Sequence, residues 1–78
     1  GAMSTIVSKV QGMTCQHCVG SVTKEVSAIP GVSEVSIDLQ VDGLSVVSVE
    51  SDTEVSDEQL SAAIAEAGYE LVGAPTRS

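Results

Sequence analysis

The chain has 78 residues, with three Lys or Arg against eleven Asp or Glu and a formal net charge of −8. This length predicts one small domain with a modest core. The acidic balance argues against a nucleic-acid partner, because phosphate binding needs a basic face. No apolar run approaches the roughly 18 residues that span a bilayer, so no membrane insertion is expected.

The first part of the chain predicts a strand followed by a helix. Ser4 to Val10 is a β-branched run typical of a strand, although its alternation does not decide which face is buried. From Gln16 the apolar residues follow a helical period, and Pro30-Gly31 predicts where the helix ends. We expect the Thr14 hydroxyl to cap its first turn. The stripe expected to face the core consists of Val19, Val22, Val26 and Ile29.

The middle of the chain predicts a hairpin. Val35 to Val41 alternates apolar and polar residues with a period of two, which is typical of a half-buried strand. Asp42-Gly43 is a tight-turn signal, and Leu44 to Glu50 forms the returning strand with Val47 and Val49 inward. The inner face of the first strand is expected to carry Val35, Ile37, Leu39 and Val41.

A second helix and a short strand complete the pattern. Ser56 to Gln59 is typical of a capping box, and Gly68 predicts the helix end. Tyr69 to Val72 is the last predicted strand, and residues 73–78 are expected to form a frayed tail. The buried stripe of this helix is predicted to be Leu60, Ala63, Ile64 and Ala67.

The order β-α-β-β-α-β predicts an α+β, ferredoxin-like sandwich, with a four-stranded antiparallel sheet and both helices on one face. The domain is placed at residues 4–72. Gly1 and Ala2 are interpreted as a cleavage scar joined to an initiator methionine, Met3. In this fold the loop before the first helix and the turn after the second emerge at the same end. Gly68-Tyr69 should therefore lie close to residues 12–18.

The only two cysteines, Cys15 and Cys18, form a Cys-x-x-Cys motif at the predicted start of the first helix. Such a pair can bind a soft metal, cycle through a disulfide, or supply half of a zinc site. A structural zinc site needs four ligands, and His17 is the only further ring or thiol ligand in the chain. Two interpretations of the pair therefore remain: a site for a two-coordinate soft ion, with Cu(I) as the first candidate, or a redox dithiol. Reactive thiols fit a reducing, cytoplasmic compartment.

The acidic residues are unevenly placed along the chain. All eleven lie from Glu25 onward, whereas residues 1–24 contain Lys9, Lys24 and His17. We therefore expect the cysteines to lie in a locally non-negative patch, which would favour thiolates and offer a distinct docking face.

The chain resembles the heavy-metal-associated domain family, which includes bacterial copper chaperones and the metal-binding domains of copper-transporting P-type ATPases. The resemblance covers residues 4–72 and is closest to the bacterial branch. It rests on Gly12, Met13, Cys15 and Cys18 of the loop motif, on Gly31-Val32, and on Ala67-Gly68-Tyr69.

The resemblance implies a non-enzymatic Cu(I) chaperone with Cys15 and Cys18 as the metal ligands. It makes Met13 a core residue that orders the loop and Tyr69 a neighbour of the site. His17 is weighed as a third ligand, as a group that tunes the thiolates, or as an exposed residue that only adjusts local charge. The implied acceptor is a copper-transporting P-type ATPase or its metal-binding domains; a copper-responsive regulator and a copper-bridged homodimer stay open.

Three other functions remain alternatives. The chain could be a metal-binding domain of a copper ATPase, since the motif is shared. It could carry Hg(II), which is also content with two thiolates. A thiol-disulfide oxidoreductase is disfavoured, because such sites usually lie in a larger scaffold and neither Pro30 nor Pro75 is placed to flank the motif.

Overall fold

The computed structural model describes residues 4–78, so the interpretation of Gly1 to Met3 lies outside the described residues. The elements are β1 (Ser4–Gln11), α1 (Gln16–Ser27), β2 (Val32–Asp38), β3 (Ser45–Ser51), α2 (Asp57–Glu66) and β4 (Glu70–Arg77). All pairings in the sheet are antiparallel and the strand order is β2-β3-β1-β4. The predicted ferredoxin-like fold class is confirmed. No helix within residues 4–78 is both long and apolar enough to cross a membrane.

One core joins both helices to the inner face of β1 and β3. The structure decides the face of β1 that the sequence left open: Ile6, Ser8 and Val10 point inward. Val47 and Val49 of β3 are fully buried, as predicted. From the helices, the buried side chains are Cys18, Val22 and Val26 of α1 and Leu60, Ala63 and Ile64 of α2.

The strand directions divide the connections between two ends of the sandwich. The cysteine end comprises the loop 12–15, the β2–β3 connection 39–44 and the turn 67–69, because Val10 pairs with Ser45 and Gln11 pairs with Glu70. The distal end comprises the connections 28–31 and 52–56 and the end of β4. Both helices run between these ends, so α1 begins beside the cysteines.

The predicted tight turn at Asp42-Gly43 is wrong in its detail. β2 ends at Asp38, and the turn is closed by the Gly43 N–H donating to the Gln40 carbonyl at 3.3 Å. Val41 therefore lies at the tip and is 55% exposed instead of continuing the inner face of the strand. The alternation ends before Val41 because the Gln40 N–H bonds to the Ser45 side chain at 2.9 Å.

The predicted frayed tail at residues 73–78 is also wrong, since β4 continues to Arg77. The pairing with β1 shifts register between Val7 and Lys9, so the residues around Gly73 and Pro75 form an irregularity and pairing resumes at Thr76. Because β4 is an edge strand, the missing N–H of a proline is tolerated there. Gly73, with φ 73°, takes up the local bend.

Candidate metal centre

The loop between β1 and α1 is shaped by its first two residues. Gly12 has φ 98°, a left-handed conformation that favours glycine. A Cβ at this position would lie 3.5 Å from Cδ1 of Tyr69, so the backbone passes close to the ring. Met13 follows and is only 1% exposed, which anchors the loop in the core and keeps its thioether among apolar side chains.

The two thiols differ in their position on α1 and in their exposure. Cys15 is the N-cap residue of α1 and is exposed, whereas Cys18 lies in the first helical turn and is only 6% exposed. The Cys15 carbonyl accepts from the N–H of Cys18 at 3.0 Å and of Val19 at 3.3 Å, which begins the helix. The two Sγ atoms are 3.4 Å apart. One exposed and one buried sulfur therefore face each other across one helical turn.

Thr14 does not cap the helix as predicted. Cys15 occupies the N-cap position with extended backbone angles, and no side chain bonds the first turn. The Thr14 N–H instead donates to the Cys18 sulfur at 3.4 Å, and the Thr14 hydroxyl lies 3.8 Å from the same atom. The sequence missed this contact, although the spacing of four residues between Thr14 and Cys18 across a helix start was a usable signal.

The Cys18 thiol is acidified by its neighbours. Its pKa is lowered from 9.0 to about 6, first by hydrogen bonding to the Tyr69 hydroxyl, then by the Thr14 backbone N–H and by Cys15, against desolvation. The pKa of Tyr69 is raised, first because its hydroxyl hydrogen-bonds the Cys18 sulfur. The predicted proximity of Gly68-Tyr69 to residues 12–18 is confirmed by the close approach of the Tyr69 ring to Gly12, and the lowered pKa favours the thiolate form of Cys18.

His17 lies on the solvent side of α1, away from the paired sulfurs. It is exposed and borders a shallow surface depression with Gln16, Gly20, Ser21 and Lys24. Within residues 4–78, no group of three or more His, Cys, Asp or Glu side chains is arranged to hold a metal ion. The arrangement therefore offers two sulfur ligands, with His17 outside them.

The expected non-negative patch is wrong for the cysteine end as a whole. Glu70 pairs with Gln11 next to the loop, and Asp38 ends β2, which β3 separates from β1, at the same end of the sheet. Asp42 lies in the β2–β3 connection, and Glu66 ends α2 at the same end. The prediction failed because folding brings distant parts of the chain to the cysteine end, although the depression on α1 itself is bordered by no carboxylate.

Residues 7–70 match the heavy-metal-associated domain, which is most of the chain. The chain belongs to the heavy-metal-associated domain family. It is 45% identical over 62 residues to the COP-associated protein of Helicobacter felis, covering 80% of this chain and 89% of that protein. It is 40% identical over 63 residues to the copper chaperone CopZ of Bacillus subtilis, covering 81% and 88%.

Larger proteins and solved structures give the same family. The copper-transporting ATPase 2 of Rhizobium meliloti is 36% identical over 63 residues, which are 81% of this chain but only 7% of that protein. Among solved structures, a CopZ metallochaperone superposes with a TM-score of 0.70 at 33% identity, covering 87% of this chain and 98% of that one.

Proposed function

We propose that this protein carries Cu(I) on the sulfurs of Cys15 and Cys18 and delivers it to a copper-transporting P-type ATPase. The observation that carries the proposal is the pair of sulfurs 3.4 Å apart at the start of α1, one acidified and buried and the other exposed. Cu(I) is a soft monovalent ion that can be bound by two thiolates alone, so it suits such a pair. Relatives named as copper chaperones and as a copper-transporting ATPase support both the cargo and the acceptor.

The difference between the two cysteines suggests the order of transfer. Cys18 is fixed by Thr14 and Tyr69, whereas Cys15 is exposed at the helix boundary. An incoming thiolate of the acceptor forms a new sulfur–copper bond, and the bond to Cys15 breaks first because that sulfur has fewer neighbours holding it. A second exchange then releases Cys18. Copper stays Cu(I) throughout, and each bond formed matches one broken.

The same geometry disfavours two alternatives. Zinc commonly takes four ligands, and within residues 4–78 no third Cys, His or carboxylate joins the two sulfurs. A disulfide oxidoreductase needs an accessible low-pKa thiolate as nucleophile, but here the acidified thiol is the buried Cys18. We therefore propose a carrier and not an enzyme, working in the reducing cytoplasm where both thiols stay free. Hg(II) binding and disulfide exchange are outcomes that the tests can return.

A competition experiment tests the proposed site. Wild-type protein, Cys15→Ser and Cys18→Ser compete with a chromophoric Cu(I) chelator, and Ser27→Ala on the far end of α1 is the matched control. We expect one tightly bound Cu(I) per wild-type and control chain, and loss of tight binding in both cysteine variants. Retention of wild-type affinity by either cysteine variant would contradict the two-thiolate site. Parallel assays with Hg(II) and with a disulfide substrate distinguish the alternatives.

A further inference from the structure

The β2–β3 connection exposes apolar side chains at the cysteine end. Val41 is 55% exposed and Leu44 is 39% exposed. Within residues 4–78 these are the only large apolar side chains so exposed, and both belong to the six residues 39–44. A single exposed apolar residue is ordinary, whereas a cluster confined to one connection points to an interaction surface.

Hydrogen bonds hold this connection in the conformation that exposes the two side chains. The turn is closed by the Gly43 N–H and the Gln40 carbonyl, and the Gln40 N–H is tied to Ser45, whose side chain is fully buried. Leu39 at the base packs against the core. The apolar tip is therefore already formed in the free protein, which lowers the entropy lost when a partner binds.

The tip lies where a copper acceptor must come. β3 is the sheet neighbour of β1, and Ser45 at the start of β3 pairs with Val10, two residues before the metal loop begins. This step rests on the proposed function: an acceptor that brings its own sulfur to Cys15 must cover the cysteine end. The connection 39–44 projects from that same end.

The charges around the tip indicate the chemistry of the partner. Asp38 lies at its base, where its Oδ1 accepts from the Gln40 side chain at 3.2 Å, and Asp42 lies between the two apolar residues. Within residues 4–78 the salt bridge is Arg77–Asp57 at the distal end, so neither of these two aspartates has an intramolecular cation. We propose that Val41, Asp42 and Leu44 form a docking tip for the copper acceptor, whose facing surface is an apolar patch bordered by Lys or Arg.

The test uses a synthetic acceptor of this chemistry. Copper-loaded protein is mixed with a peptide that carries Cys-x-x-Cys between leucines bordered by lysines, and the rate of copper transfer is followed. The variants are Val41→Ser/Leu44→Ser and Asp42→Asn, with Ala28→Ser at the distal end as control. A small chromophoric chelator serves as an acceptor that needs no docking, and a peptide with Glu replacing Lys tests the charge.

We expect the double variant to transfer copper to the lysine peptide about fivefold more slowly, with no change towards the chelator. Asp42→Asn and added salt should each slow transfer less, and the glutamate peptide should receive copper more slowly from the wild type. Backbone amide changes should appear in residues 39–44. Transfer by the double variant at the wild-type rate, or amide changes confined to α1 or to residues 52–58, would overturn the docking tip. Failure of the wild type to load copper would instead overturn the proposed function.

Discussion

The two ends of the sandwich are held together by different means. At the distal end, the Thr53 hydroxyl donates to the Pro30 carbonyl at 3.1 Å, and the Asp52 N–H donates to the Gly31 carbonyl at 2.8 Å. Arg77 joins β4 to α2 through Asp57 at 2.7 Å, and to the connection 52–56 through the Val55 carbonyl at 2.8 Å. These bonds connect separate segments of the chain and close the core at the distal end.

At the cysteine end, the loop 12–15 is held by one buried side chain and by contacts to sulfur. Met13 enters the core, and Thr14 bonds the Cys18 sulfur instead of a distant backbone group. These contacts end on a sulfur that we propose as a metal ligand, whereas none of the distal bonds involves a residue of the proposed site. The comparison teaches that the bonds between separate segments described above lie at the distal end, opposite the two sulfurs that we propose as the metal site, in a domain with little stability to spare.

The largest expected effect comes from the distal end. Gly31 has φ 91°, and a Cβ there would overlap the Thr53 side chain. Gly31→Ala should lower the free energy of unfolding by about 4 kcal/mol, through backbone strain, overpacking and loss of the Thr53 hydrogen bond. Urea unfolding measures it, with Gly43→Ala as control because nothing lies within 4 Å of its added Cβ.

If Gly31→Ala does not fold, the pair Gly31→Ala/Thr53→Ala keeps the prediction testable. Removing the Thr53 hydroxyl and methyl relieves part of the overlap, since the Thr53 Cβ still lies 2.8 Å from the added Cβ, so the double variant should be more stable than Gly31→Ala alone. Folded protein should bind Cu(I) with wild-type affinity, since the site lies at the other end. A weakened copper affinity in a folded Gly31 variant would break the assignment of roles to the two ends.

Met13→Ala should have the next largest effect and should act on both properties. Removing this fully buried side chain should lower the free energy of unfolding by about 3 kcal/mol. Because Met13 alone anchors the loop in the core, Cu(I) affinity should also fall. Met13→Leu keeps the apolar volume and removes the sulfur, so it should restore both; loss of Cu(I) binding in Met13→Leu with a stable fold would identify the thioether as a ligand.

The two helix starts show how far the sequence could predict the structure. Ser56 and Gln59 form the predicted capping box, with the Ser56 side chain accepting at 3.1 Å and the Gln59 side chain at 2.9 Å. The Thr14 prediction used the same residue preference and failed, because Cys15 takes the N-cap backbone position and the sulfur of Cys18 attracts the Thr14 groups. A local sequence pattern therefore predicts a helix cap correctly where no other group competes for the capping side chain.

Two of the remaining failures, the frayed tail and the non-negative patch, share one cause: contacts between distant parts of the chain outweigh the local pattern. The strand through Pro75 is possible only because β4 lies at the sheet edge, and strand order is not written in local periodicity. The acids at the cysteine end come from segments far along the chain, so no window around the motif contains them. The pairing of Cys15 with Cys18 and the approach of Tyr69 were predictable, since both follow from motif spacing and fold order.

A matched pair of substitutions sharpens the comparison of the two helix starts. Ser56→Ala at the distal end should lower the free energy of unfolding by about 1 kcal/mol, because it removes a cap. Thr14→Ala at the cysteine end removes a hydroxyl that caps nothing, so its effect on stability should be smaller than that of Ser56→Ala. Urea unfolding of the two apo variants measures both values. A larger loss in Thr14→Ala would show that the cysteine end contributes capping energy after all.

The last prediction concerns the pH dependence of stability at the cysteine end, which Tyr69→Phe should change only in part because Tyr69 is one of several groups that lower the pKa of Cys18. The pKa of Cys18 is about 6 in the folded protein against 9.0 for an ordinary thiol, first because of the Tyr69 hydroxyl. The thiolate therefore stabilises the apo fold fully above pH 9, and this contribution is lost as the pH falls towards 6.

Tyr69→Phe should raise the pKa of Cys18 and flatten that rise in stability between pH 6 and 9. Urea unfolding across this range, together with the pH dependence of Cys18 alkylation, measures both effects. Cys18→Ser should abolish the rise, and Ser56→Ala should lower the whole curve without changing its slope. An unchanged slope in Tyr69→Phe would show that Thr14 and Cys15, and not the phenol, hold the thiolate.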